Sequence, residues 1–131
     1  MIEPNRLYDK IISVDEKTVF RRKELIYFIK DNNIKHQKCG QRYLIDEEDF
    51  IKTINPKMIN KLYSIPRVRT IESAVREFNA THIKQINHHI AKKCILENKN
   101  ISLIKGVRLH LLNYDEFEKE IILMNKRKRN W

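Results

Sequence analysis

The chain writes one phrase twice. CGQRYLIDEEDFIKTI, residues 39–54, returns as KGVRLHLLNYDEFEKEI, residues 105–121. Gly40 answers Gly106, Arg42 answers Arg108, Asp46 answers Asn113 and Phe50 answers Phe117, with FIKTI matched by FEKEI. Gly40 and Gly106 are the only glycines in 131 residues. A glycine supplies positive φ at little steric cost, which a tight hairpin needs. A short apolar-rich run follows each glycine, and Asp or Asn then stands where a helix N-cap would stand. Phe comes four residues after that cap and Ile four later again, which is one helical face. Each copy therefore reads as strand, glycine turn, strand, capped amphipathic helix. The repeat predicts an α+β, mainly α chain of two tandem units.

The expected partition is 1–55 for the first unit, 56–66 for a linker or short helix, 67–125 for the second unit and 126–131 for a basic tail. A unit of about 60 residues buries only about 60% of its unfolded surface, so two such units are expected to lean on each other. No apolar run approaches the roughly 20 residues of a membrane span. MIEPNRLYDK lacks the charged-then-apolar order of a signal peptide. A cytoplasmic location without a membrane partner is the expectation. Cys39 and Cys94 stand far apart and read as reduced thiols rather than a disulfide framework. Net charge is +10. Residues 1–60 hold 12 Lys and Arg against 10 Asp and Glu, and residues 61–131 hold 15 against 7. A basic excess of that size points to a polyanion partner.

Residues 1–17 read ambiguously: LYDKII suits a strand or a short helix, and Ser13 offers a cap for SVDEKTVF. RRKELIYFIKDNN predicts a helix burying Leu25, Phe28 and Ile29, stopped at Asn32-Asn33. Asn55-Pro56 ends the first closing helix, and KMINKLYS suggests a short connecting helix. Thr70 caps IESAVREF, with Ile71, Ala74, Val75 and Phe78 inward and Glu72, Arg76 and Glu77 outward. Asn79-Ala80 reads as a turn, and Thr81 as the cap of a second helix, HIKQINHHIAKKC, with Ile83, Ile86 and Ile90 facing the core. ISLIKGVRLHLL is the second hairpin and NYDEFEKEIILM the second closing helix.

Two helices joined by a tight turn, then a hairpin, is the order of a winged helix-turn-helix, whose second helix enters the DNA major groove. The candidate DNA contacts are then Thr81, His82, Lys84, Gln85, His88 and Lys92 on that helix. Gln85 suits adenine, and Lys84 suits a guanine edge or a phosphate. Lys105 and Arg108 flank the wing turn. The first unit offers Arg22 and Lys23 at its helix start, and Arg42 as the counterpart of Arg108.

TIESAVREF, the polar second helix and IKGVRLHLLNYDEFEKEI resemble the small excisionases, or recombination directionality factors, of conjugative transposons and phages. These fall within the wider group of excisionase and MerR-type winged helix domains. The resemblance covers about residues 68–123. It returns over 23–54, where RKELIYFIKDNN and CGQRYLIDEEDF carry helix, wing and closing helix. The family's Thr-x-x-Glu-Ala opening has no counterpart in 9–19. The resemblance implies a non-enzymatic protein that binds double-stranded DNA at repeated sites near the ends of a mobile element and bends it. Its implied partner is a tyrosine recombinase steered toward excision, with a homo-oligomer on DNA as a further expectation. Relatives also include transcription regulators. No metal or cofactor is expected: His88, His89 and Cys94 lack a ligand pattern, and Asp46, Glu47, Glu48 and Asp49 complement a helix dipole. The charge split assigns most DNA affinity to the second unit. The first is left to hold the pair together or to meet a protein partner. A protein-interaction module on the same scaffold is the alternative. RNA binding ranks last, because most aromatics sit at core spacing rather than free for stacking.

Overall fold

Ile2 and the strand Val68–Thr70 do the same thing in the two halves. Each pairs with the last strand of its hairpin and leads directly into a helix. The computed structural model describes residues 1–56, 65–106 and 109–129, with backbone alone for 127–129. In the first half Ile2 forms an antiparallel bridge to Ile45 through two N–H···O bonds of 2.8 and 2.7 Å. Pro4 then opens α1 (Pro4–Val14), at the helical position where a missing N–H costs nothing. A 3-10 turn (Arg22–Glu24) runs into α2 (Leu25–Asp31), followed by β1 (His36–Cys39), β2 (Arg42–Ile45) and α3 (Glu47–Ile54). The second half repeats the order with β3 (Val68–Thr70), α4 (Ile71–Thr81), α5 (His88–Glu97), β4 (Leu103–Ile104), β5 (Leu111–Asn113) and α6 (Tyr114–Arg129). Its three strands pair antiparallel in the order β3-β5-β4, with Arg69 opposite Leu112 as Ile2 is opposite Ile45. The chain is thus α+β, with its strands in two small antiparallel sheets.

Several expectations change here. The first half does possess an opening helix, and it begins at Pro4 rather than near Ser13. Ser13 donates its hydroxyl to Lys10 O inside the last turn. In the second half Asn79 and Ala80 are helical, α4 runs through Thr81, and the turn lies at 82–87. Asn87, not Thr81, caps the next helix, its Oδ1 accepting the Ile90 N–H at 2.7 Å. Ile83 is fully exposed, because the turn carries it away from the core that Ile86 enters. The basic segment that reads as a loose tail continues α6 to Arg129. KMINKLYS, residues 57–64, lies outside the described residues.

The other caps stand where the sequence puts them. Asp46 Oδ1 accepts from Asp49 N (3.1 Å), and Asn113 Oδ1 from Asp115 N (3.0 Å) and Glu116 N (3.3 Å). Thr70 and Ser73 form a reciprocal capping box. Helix α2 ends in a Schellman motif: Asn33, at φ 53°, donates to Lys30 O, and Ile34 donates to Ile29 O.

The two glycines differ in role. Gly40, at φ 64°, is the first residue of a two-residue turn between Cys39 and Arg42. Gly106 begins the contact zone of a longer loop, where an added Cβ would stand 2.1 Å from the Leu109 carbonyl oxygen. Gly40→Ala is expected to cost about 1 kcal/mol, the penalty of the left-handed region. Gly106→Ala meets backbone and is expected to cost about 2–3 kcal/mol. Urea denaturation of the two variants separates these values, and equal losses would refute the steric role of Gly106.

The core falls into two clusters that do not follow the sequence boundary. Phe20, Phe28 and Phe50 meet in the first, with ring centroids 4.9–5.9 Å apart. Val68, Ile104 and Leu111, from the second half, also belong to it. Leu112 faces the second cluster with Phe78, Tyr114 and Phe117. Successive strand residues point to opposite faces, so the sheet of the second half packs one face on each core. Polar contacts join the halves at the same place. Arg69 is clamped by Asp15 through bonds of 2.5 and 2.8 Å. Asn113 Nδ2 reaches Asn55 Oδ1 (3.4 Å), and Asn32 Nδ2 donates to Lys105 O (2.8 Å).

Tyr114 is fully buried, and its hydroxyl finds no partner in hydrogen-bonding geometry among the described residues. Burial first, and then the Glu118 and Glu77 carboxylates, push its pKa from 10.0 up to about 12, against the opposing pull of the Thr81 side chain and Arg67. Burial likewise raises the Cys94 thiol. For both groups the fold favours the neutral form. Their contribution is complete at neutral pH and is lost as pH climbs above the free-residue values of 9.0 and 10.0 toward the folded ones. Tyr114→Phe removes a buried hydroxyl that has, among the described residues, only the Thr81 side chain near it and no bond of good geometry. It is expected to be neutral or to stabilise by about 1 kcal/mol, and to flatten the alkaline fall between pH 10 and 12. A loss above about 1 kcal/mol on thermal unfolding would mean that the hydroxyl is bonded.

Candidate nucleic-acid interface

The turn between α4 and α5 is held rigid by its own side chains. Asn79 Nδ2 donates to Ile86 O and Asn79 Oδ1 accepts from Ile86 N, both at 2.8 Å. Gln85 Nε2 donates to Asn79 O (2.8 Å) and His82 O (3.1 Å). The Gln85 amide thus stabilises the turn rather than standing free for a base. His82 stacks on Phe78 with centroids 4.0 Å apart, and its Nε2 lies 3.0 Å from Glu118 Oε2. Thr81 donates its hydroxyl to Glu77 O at 3.0 Å, inside α4. Of the six predicted groove residues, these three are bound into the fold.

Lys84 stands exposed on the turn beside Ile83, and His88 and Lys92 are exposed on α5. His89 and Lys93 share that exposed side with them, together with Leu96. His89 and Lys93 were missed because the helix was started six residues too early, which rotated its faces. Asn87 followed by Ile90 at the third helical position was the local signal for the true start. Lys105 is exposed on the β4–β5 loop. Arg108 lies outside the described residues.

The first-half candidates are dispersed. Arg22 reaches Asp9 at 3.6 Å and lies 5.1 Å from the Tyr8 ring centre, whereas Lys23 is exposed beside it. Arg42 pairs with Glu3.

The carboxylates of residues 61–131 explain why α5 is so basic. Five of the seven turn inward. Glu77 pairs with Arg69, which is 3% exposed, and so does not point outward as its helical spacing suggests. Asp115 and Glu118 hold Arg67 at 2.5 and 3.5 Å. Glu116 accepts from the Ser102 hydroxyl at 2.9 Å, and Glu120 from Asn98 Nδ2 at 2.8 Å. Burial opposes the charge on both arginines. Asp115, for Arg67, and Asp15 with Glu77, for Arg69, outweigh it and raise both guanidinium pKa values. Glu72 and Glu97 remain on the surface, and Glu72 faces Arg76 at 3.4 Å. Lys84, Lys92, Lys93 and Lys105 enter no ion pair among the described residues. The exposed surface is therefore more positive than the residue count.

Among the described residues no cluster of three or more His, Cys, Asp or Glu is arranged to hold a metal, and no helix is long and apolar enough to cross a membrane. Comparison of the chain with known family models, curated proteins and solved structures yields no match.

Proposed function

We propose that this chain is a sequence-specific, non-enzymatic DNA-binding protein of excisionase type, built from two tandem winged helix-turn-helix units. It binds and bends duplex DNA as an accessory factor for a tyrosine recombinase or as a transcription regulator. The observation that carries this reading is the outer side of α5. Four basic or titratable side chains, His88, His89, Lys92 and Lys93, are exposed there in one stretch, while five of the seven carboxylates of residues 61–131 turn inward and Glu97 is the one acid exposed at the end of the same helix. Such a helix fits the width of a major groove, and its lysines displace counterions from phosphate. Lys84 on the preceding turn and Lys105 on the hairpin loop extend the contact to the backbone. The rigid Asn79–Gln85 turn supports the reading, because a recognition helix must be held at fixed orientation.

Binding to duplex from the protein's own locus and to a mixed-sequence duplex, each titrated with salt, tests it. Preference for the locus with a steep salt slope is expected. The exposed Ile83 and Leu96 favour the second reading, a protein-interaction module. Absence of duplex binding in this titration would overturn the first reading.

A further inference from the structure

The first half looks almost neutral by count, yet its charges are sorted in space. Glu3, Asp9 and Glu47 pair with Arg42, Arg22 and Lys10, Asp15 is buried against Arg69, and Asp46 caps α3. Asp49 accepts the Lys35 backbone N–H at 2.7 Å. Lys23, Lys30, Lys35 and Lys38 are exposed and join no ion pair among the described residues.

These four lysines lie along a continuous strip. Tyr27 and Lys30 are spaced i, i+3 on one side of α2, Lys23 precedes them in the 3-10 turn that runs into it, and Tyr27 is 60% exposed. Lys30 Nζ sits 5.3 Å from the centre of the Tyr43 ring, and Lys38 Nζ 5.7 Å from it, so the helix face continues onto the hairpin. All of β1 is exposed, and Lys30, Asn33, Ile34, Lys35 and His36 line an open depression of about 440 Å³. Glu24 follows Lys23, the exposed Asp31 follows Lys30, and Asp49 bonds the Lys35 backbone, so acids also stand beside the strip. A lysine at the end of α2 complements the helix dipole, which accounts for Lys30. It does not account for Lys35, in the segment between α2 and β1, or for Lys38, on β1.

We propose that this strip makes a second contact with duplex DNA, so that one chain grips the phosphate backbone at two places. The inference rests on the DNA-binding reading above and assigns the first half a direct part in it. The Asp15–Arg69 clamp and the second-half sheet, which packs against both cores, hold the two surfaces together, so the second contact forms at high effective concentration.

The test uses the full chain and a mixed-sequence duplex of several helical turns. Lys35→Gln with Lys38→Gln is expected to reduce the steepness of log K against log salt by about 2, roughly one per lost phosphate contact. Lys17→Gln with Lys52→Gln removes the same charge elsewhere on this half and is expected to leave the slope unchanged. An unchanged slope in the Lys35/Lys38 pair overturns the inference, as does an equal fall in the Lys17/Lys52 pair. If Lys92→Gln with Lys93→Gln still lowers the slope in either case, the reading of the α5 face stands alone. No duplex binding by the wild-type chain overturns both.

Discussion

Asp15→Ala is expected to lower the unfolding free energy by about 3–5 kcal/mol, the cost of leaving a buried charge without its partner. Asp15 and Arg69 side chains are 5% and 3% exposed, and both carboxylate oxygens meet the guanidinium. Glu77, at 3.2 Å, compensates part of the charge, which places the effect toward the lower end of that range. The same change loosens the two halves from each other, because Asp15 follows α1 and Arg69 lies in β3. Calorimetry should therefore record an earlier and broader transition. Replacing all three members, Asp15→Leu with Arg69→Met and Glu77→Gln, should recover much of the loss, since no buried charge is then left without a partner. A single-variant loss under about 1 kcal/mol would show that water reaches the pair.

Lys84→Glu with Lys92→Glu should weaken duplex binding on the order of a hundredfold at fixed salt, because each reversal replaces an attraction to phosphate or base edge by a repulsion. Both side chains are exposed and in no ion pair among the described residues, so thermal unfolding should be unaffected. Gln85→Ala should act the opposite way. It removes two bonds that hold the turn and should cost about 1 kcal/mol of stability. Anisotropy titrations beside melting curves distinguish the two variants. Full affinity in the lysine pair would remove α5 from the interface.

The amino-acid sequence by itself determined the elements whose cause is local. The hairpin around Gly40 follows from one residue at positive φ, and the closing helices α3 and α6 from a capping Asp46 or Asn113 ahead of Phe50 or Phe117. Helix α2 and its stop at Asn32-Asn33 are legible for the same reason. Elements that depend on distant partners were not legible. Ile2 is a single bridging residue and β3 has three, too short to show alternation, and both exist because a hairpin strand far along the chain accepts them. The α4–α5 turn was misplaced because Thr81 resembles a cap until Asn79 and Gln85 are seen to close the turn at 82–87. Helical spacing put Glu77 in water, but only the packed halves bring it to a buried Arg69. Surface charge followed the same rule. A window of sequence counts lysines and carboxylates alike, whereas the tertiary structure decides which carboxylates are neutralised inside and which lysines remain to meet a partner.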